Sequence, residues 1–351
     1  MERPATIRSI ASRKFARALA FAVTIACASS ILSASAGPIA PPPWQAPPGM
    51  LRVWGTLRAA DILGRWQAGF HGTRMVAHLT GSDIAMAGLY TGQADIALIG
   101  REATDAEIKA FEWVFRYRPT RIEVATGSLA SPGRSPALAV FVHRDNPLAR
   151  IDFATLASVF GAQPAQGKSG IRNWGDLSVG GEWSRHPIHL YAPDSESGSG
   201  AFFRARVLGG DSKMNWQNLD EFAEPARTPG GVDVASRDVL RALARDRYGM
   251  AIADLAYANT EVKALALKSD GEFLQPTRST LIDGIYPLRR SLYAYINVPS
   301  HTAPDATVKK FLRHVLGAEG QRALEANQVG YLPLGKEAAQ RQLRALSELP
   351  E

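Results

Sequence analysis

PDSESGSGAFFRARVL, residues 193–208, sets four small residues, Ser197-Gly198-Ser199-Gly200, directly ahead of an apolar run. Small hydroxyl residues and glycine in that position mark the start of a helix. A helix N-terminus carries unpaired backbone N–H groups and the positive end of the macrodipole. Glycine lets an anion approach the backbone, and serine adds a hydroxyl donor. Four such residues are more than one cap needs. No Gly-Lys-Ser/Thr follows, so the stretch is not a Walker A loop. Glu196-Ser197-Gly198 lacks the leading glycine of a hydrolase elbow. Taken alone, the turn is also compatible with an ordinary helix cap.

Two further turns share the chemistry. Gly55-Thr56 precedes a helical pattern over 57–70, and Gly81-Ser82 precedes one over 83–91. Around them the chain alternates. Strands are expected at 51–54, 75–79, 94–99, 122–125 and 137–143, with a helix at 104–115 capped by Thr104. Beyond Asn146-Pro147 the pattern restarts, with helix 152–160, strand 187–191, helix 200–208 and strand 249–253. A late strand at 292–298 and helices at 305–316 and 319–327 follow. This order predicts an α/β protein with two lobes, each a mostly parallel sheet flanked by helices.

The chain has 351 residues, 46% of them apolar, enough for two ordinary domains and too apolar for general disorder. Its formal charge of +7 suggests a polyanionic partner at first sight. Much of that charge sits at the start. Residues 1–17 hold five bases and one acid, residues 18–36 hold no charge, and Ala34-Ser35-Ala36 ends the run. This is the pattern of a cleaved export signal over 1–36. Its loss removes a net four charges and leaves +3. The only cysteine, Cys27, lies inside it, so no intrachain disulfide forms. Lipidation at Cys27 is the minor alternative to cleavage. Residues 37–50, with six prolines, read as a tether. Basic residues are dispersed without aromatic interleaving, which argues against nucleic-acid binding. The seven histidines show no metal spacing, and neither a metal nor a cofactor is expected. The tryptophans at 54, 66, 174 and 216 read as packing residues.

Several segments, in order, resemble the phosphate-binding periplasmic proteins of ABC transporters. PDSESGSGAFFRARVL is similar to that family's RDSSSGTxxFFxxxVL. GTLRAADILGRWQAGF (55–70), GSDIAMAGLYTGQADIALIGRE (81–102), IRNWGDL (171–177), YGMAIADLAYANTEVKALAL (248–267), YPLRRSLYAYIN (286–297) and EGQRALEANQVGYLPL (319–334) resemble its other conserved stretches. The resemblance spans about residues 51–335. It implies a two-lobe, type II periplasmic binding-protein fold. Lobe 1 would hold 51–140 plus 288–345, and lobe 2 would hold 141–287. Crossovers near 137–143 and 286–291 would act as hinges.

The resemblance also implies a ligand set: Thr56, Ser82, and Ser197, Gly198 and Ser199. The family's anion-clamping arginine falls on Pro193, which has no N–H to donate. The Gly and Thr after the second-loop serine fall on Asp83 and Ile84. A carboxylate found in some members falls near Gly100-Arg101. Arg101, and less directly Arg58, are therefore candidates for a relocated clamp, and Asp83 for a proton acceptor. The implied function is an exported, periplasmic, monomeric binding protein that captures phosphate or a related small oxyanion for a membrane ABC permease. One alternative is a sensor or scavenging domain of the same fold with another ligand or none. Another is an enzyme using Ser197 as nucleophile.

Overall fold

The computed structural model describes residues 50–127, 137–162, 170–195, 197–209, 213–223, 234–299, 302–325 and 331–350. All of them belong to one compact unit, Ala40–Glu351. The expected export signal with Cys27, the tether up to residue 49, and Glu196 lie outside the described residues.

β1 (Met50–Gly55) buries Leu51 and Val53 and ends where Thr56 caps a 3₁₀ turn, Leu57–Ala59. That turn runs into α1 (Ala60–Gly69), whose inner face is Ile62, Leu63 and Trp66. β2 (Arg74–Leu79), α2 (Ser82–Tyr90), β3 (Ile96–Ile99), α3 (Asp105–Phe115) and β4 (Thr120–Thr126) follow. Thr104 caps α3 as expected and completes a capping box with Glu107. The chain then forms β5 (Leu138–His143), β6 (Arg150–Ile151), α4 (Phe153–Phe160), β7 (His189–Pro193), α5 (Gly198–Phe203), β8 (Leu219–Phe222), α6 (Ala235–Leu243) and β9 (Gly249–Asp254). β10 (Val262–Ala264), β11 (Ala266–Ser269), β12 (Glu272–Leu274) and α7 (Arg278–Ile282) lead to β13 (Ser291–Ile296). The described chain ends with α8 (Ala306–Leu316), α9 (Ala318–Glu325) and α10 (Lys336–Ser347).

The first sheet has the order β2-β1-β3-β13-β4, and the second β10-β5-β9-β7-β8. In the first, β2, β1 and β3 are parallel and β13 opposes both neighbours. In the second, β9, β7 and β8 are parallel and β5 opposes both neighbours. Each sheet is therefore mostly parallel with one reversed strand. Each reversed strand is the first strand after the chain crosses between sheets. A third small sheet, β12-β11-β6, extends the second half.

Trp66 and Trp174 are buried, with their indole N–H groups donated to Gly320 O and Tyr248 O, both at 3.0 Å. Trp54 is half-buried, its ring 4.6 Å from that of His78. Trp216 departs from the packing expectation. It is 50% exposed, and its N–H donates to Glu221 Oε2. The helix expected at 200–208 starts earlier, at Gly198, and widens into a π-turn over Arg204–Leu208 that Gly209 ends at φ 77°. β5 lies wholly in the second sheet, so the expected lobe limit at 140 runs through the middle of a strand.

Candidate functional site

Register places several loop residues along one edge of the first sheet. β1 pairs β3 with Gly55 opposite Leu98, and β13 pairs β3 with Tyr293 opposite Ile99. The C-terminal ends of β1 and β3 thus lie beside the beginning of β13. Thr56, Gly100 and Arg290 follow one another along that edge, and Gly81 N donates to Gly55 O at 3.2 Å, which brings Ser82 alongside. The same logic applies to the second sheet. There the end of β7 at Pro193, the end of β9 at Asp254 and the start of β5 at Leu138 share an edge. Ligands of open α/β sheets gather at such C-terminal strand edges.

Both edges meet at the two crossings. Gly127 N donates to Arg290 O at 2.5 Å, Leu138 N to Leu288 O at 3.1 Å, and the Tyr286 hydroxyl to Leu138 O at 3.1 Å. The outgoing and returning segments therefore run side by side. Arg289 and Arg290 sit in the returning one, where adjacent side chains of extended chain point to opposite sides. Arg289 turns to the first sheet, donating from Nη1 to Glu123 Oε1 and to Ser291 Oγ. Burial pulls the Arg289 pKa down, but the bond and charge of Glu123 outweigh it and hold it above the ordinary value. Arg290 turns to the second sheet, where Nη1 donates to Ser199 Oγ at 3.0 Å.

The residues named from the sequence fall into distinct states. Thr56 is buried; its hydroxyl oxygen accepts Arg58 N–H at 3.4 Å, so its proton remains to be donated elsewhere. Ser82 is the first residue of α2, one place inside the helix, with Gly81 in the cap position. Asp83 follows it in α2, and its side chain lies outside the described residues. Ser197 caps α5, accepting Gly200 N–H at 3.1 Å, and like Thr56 it keeps its proton. Ser199 differs. Its hydroxyl donates to Asp254 Oδ1 at 3.2 Å while accepting from Arg290. Its proton is committed, and only its backbone N–H is left to face a ligand. Gly200 is required by packing, because a Cβ there would lie 2.2 Å from Asp194 O.

Arg101 is held at the start of α3. Its guanidinium makes a two-pronged pair with Glu107, at 2.7 and 2.8 Å. The same Glu107 closes the capping box. Arg58 contributes its backbone N–H to Thr56. Two residues that sequence reasoning passed over are central here: Arg290, 5% exposed, and Asp254, fully buried. The adjacent arginines of YPLRR were the available signal, since one of the two had to face each sheet.

Two α/β lobes joined by paired crossings, with hydroxyl-bearing helix starts gathered where their sheet edges meet, define a two-lobe solute-binding protein. The chain belongs to the PBP superfamily, whose domain model matches residues 47–319, and within it to the PstS-like proteins. It is 30% identical over 270 residues to the phosphate-binding protein PstS of Pseudomonas aeruginosa, covering 76% of each chain. Among solved structures, PstS from Borrelia burgdorferi superposes with a TM-score of 0.56 at 18% identity, over 82% of this chain and 99% of that one. An ABC-type phosphate transport receptor from Vibrio cholerae gives 0.53 at 17% identity, over 80% and 99%. At these identities the two structures bear on the fold alone.

Proposed function

We propose that the protein is an exported, periplasmic binding protein that captures phosphate, or a closely related small oxyanion, and presents it to a membrane ABC permease. The observation that carries this is the pair of capping hydroxyls, Thr56 and Ser197, one at each sheet edge. Both oxygens accept a backbone N–H and keep a proton to donate. With Ser82 and the first N–H groups of α5 at Gly198 and Ser199, they form a donor-rich set suited to the oxygens of a small oxyanion. Relatedness to a protein named for phosphate binding points the same way.

Binding in this reading is hinged closure. Lobe 1 (51–140 plus 288–345, with the limit moved to the crossing before Leu138) and lobe 2 turn about the paired segments at Gly127–Arg290 and Leu138–Leu288. An anion bridging Thr56 and Ser82 to Ser197 and Gly198 stabilises the closed form. Arg101 is a rim cation, already offset by Glu107, and Arg58 and Asp83 border the first two loops. No covalent step belongs to this reading, and Ser197 acts as a donor rather than a nucleophile.

Calorimetric titration of the anion-stripped protein with phosphate, sulfate and molybdate tests it. Saturable binding of phosphate is the expected result. Absence of heat from all three would favour the sensor or scavenging role with another ligand.

A further inference from the structure

The turn that leads into α5 is held at Ser195, a residue only 5% exposed, whose backbone groups must find partners within the protein. Its N–H donates to Glu221 Oε1 at 2.9 Å, and its carbonyl accepts from Arg204 Nη1 at 3.5 Å. Two residues on, Ser197 N donates to Asp194 O at 2.9 Å and closes the turn. Register brings Glu221 to this place. β8 runs parallel to β7, with Ala192 opposite Glu221 and Pro193 opposite Phe222, so the carboxylate stands where β7 runs out into the turn. Its other oxygen, Oε2, accepts the indole N–H of Trp216 at 3.1 Å. Trp216 belongs to a short loop fastened to the end of α4, where Asn215 N donates to the carbonyl of buried Phe160 at 2.8 Å. An unbroken line of contacts therefore runs from α4 through Trp216 and Glu221 to Ser195. An exposed glutamate is ordinarily free to rotate. This one is exposed and yet fixed at both oxygens. The line also gives Trp216 a use outside the core, through its N–H.

We propose that Glu221 is a positioning residue of the site described above: braced by Trp216, its carboxylate holds Ser195 in place so that the Ser197 hydroxyl stands ready for an oxyanion. This rests on the anion-binding reading. Neither Glu221 nor Trp216 touches the ligand. A donor already in place spares the ordering that binding would otherwise cost, so the brace is read out as affinity. The charge of Glu221 works the other way, because a fixed negative charge beside an anion opposes it. The two effects separate by substitution. Glutamine keeps an acceptor for Ser195 N–H without the charge, whereas alanine removes both. A residue that served stability alone would change the melting temperature and leave the affinity of the folded protein as it was. One that served by charge alone would give tighter binding in the glutamine and alanine variants alike.

The test is calorimetric titration of the purified, anion-stripped protein with inorganic phosphate, with melting temperatures measured alongside. Four forms are compared: unaltered, Glu221→Ala, Glu221→Gln and Trp216→Phe. Glu221→Ala is expected to weaken phosphate binding about tenfold, the scale of one lost hydrogen bond. Glu221→Gln is expected to bind within about threefold of the unaltered protein, since the acceptor is restored. Trp216→Phe keeps an aromatic ring but releases Glu221, and is expected to weaken binding about threefold. A folded Glu221→Ala protein that binds phosphate as tightly as the unaltered one, or more tightly, overturns the proposal. So does a glutamine variant as weak as the alanine one. If Glu221→Ala does not fold, Trp216→Phe decides: unchanged affinity there overturns the proposal as well. An unaltered protein that gives no heat with phosphate defeats the functional reading and this proposal with it, whereas an alanine variant that binds unchanged defeats the proposal alone.

Discussion

The hydroxyl of Ser199 stands between Arg290 Nη1 at 3.0 Å and Asp254 Oδ1 at 3.2 Å, joining a crossing segment to the core of the second sheet. Its neighbour two residues back, Ser197, has a hydroxyl that accepts Gly200 N–H and retains its proton. The two serines are therefore expected to respond differently to the same change. Ser199→Ala removes a buried link between two charged groups and should cost about 1–3 kcal/mol of stability. Ser197→Ala should cost about 1 kcal/mol through the lost cap, and should weaken anion binding about tenfold through the lost donor. Thermal melting and calorimetric titration of the pair measure both quantities.

Two glycines of the same turn give an opposed pair. A Cβ on Gly200 would fall 2.2 Å from Asp194 O and 2.7 Å from Ser195 Cα, both backbone atoms that cannot move aside cheaply. Gly200→Ala should destabilise by about 1–3 kcal/mol or more. A Cβ on Gly198 meets only Arg290 Nη2, at 3.6 Å, an ordinary contact. Gly198→Ala should fold with an unchanged melting temperature, while its methyl group crowds the ligand side of α5 and weakens phosphate binding. Equal melting losses in both variants would contradict this geometry.

The first sheet depends on an ion pair under its parallel strands. Arg52 Nη2 meets Asp95 Oδ1 at 2.5 Å with side chains 9% and 8% exposed, and Asp95 Oδ2 also accepts Arg52 N–H at 2.7 Å. Asp95→Ala leaves a buried guanidinium without its carboxylate and should cost about 3–5 kcal/mol. Urea unfolding reads this directly, and a change below about 1 kcal/mol would show the pair to be solvated, as exposed pairs are.

Alkaline stability should depend on Tyr293. Burial, then the charges of Glu123 and Glu102, push its hydroxyl up to about 12, against the opposing pull of Arg289 and Ser291. A raised folded-state value means the native state holds the phenol proton more tightly than the unfolded chain does. That contribution is complete below pH 10 and is lost as the pH rises towards about 12. Tyr293→Phe should flatten the fall in stability across this window. Denaturant midpoints of both proteins at a series of alkaline pH values measure it.

Much of the first half of the chain was legible because its signals are local. Thr104 and Glu107 announce a capping box three residues apart in sequence, and Leu51, Val53 and Trp66 announce their faces by spacing. The same capping box bears on Arg101, since the carboxylate that closes it also holds the guanidinium. That connection is readable as Thr-x-x-Glu beside an arginine, and it tempers the expectation of Arg101 as a clamp. α6 was also readable, with Val239, Leu240 and Leu243 on its inner face, yet was passed over. Arg290 was not legible in the same way. Its partner Ser199 lies 91 residues earlier, and its direction depends on the chain entering β13 against the run of its neighbours. Short strands such as β6 and β10 to β12 carry too few residues to show a period.

The reversed strand β13 has a consequence for the order of assembly. It sits between β3 and β4, strands made well before it, and reaches them only after the whole second sheet has been synthesised. Until Ser291–Ile296 is available, the first sheet has an empty slot at its centre, with β4 unable to join. The second sheet has no such debt, because its strands, β5 and β7 to β10, are all made before the chain returns to the first sheet. The inserted half can thus complete its core first, and the closing of the first sheet around β13 is the long-range step that makes the molecule whole.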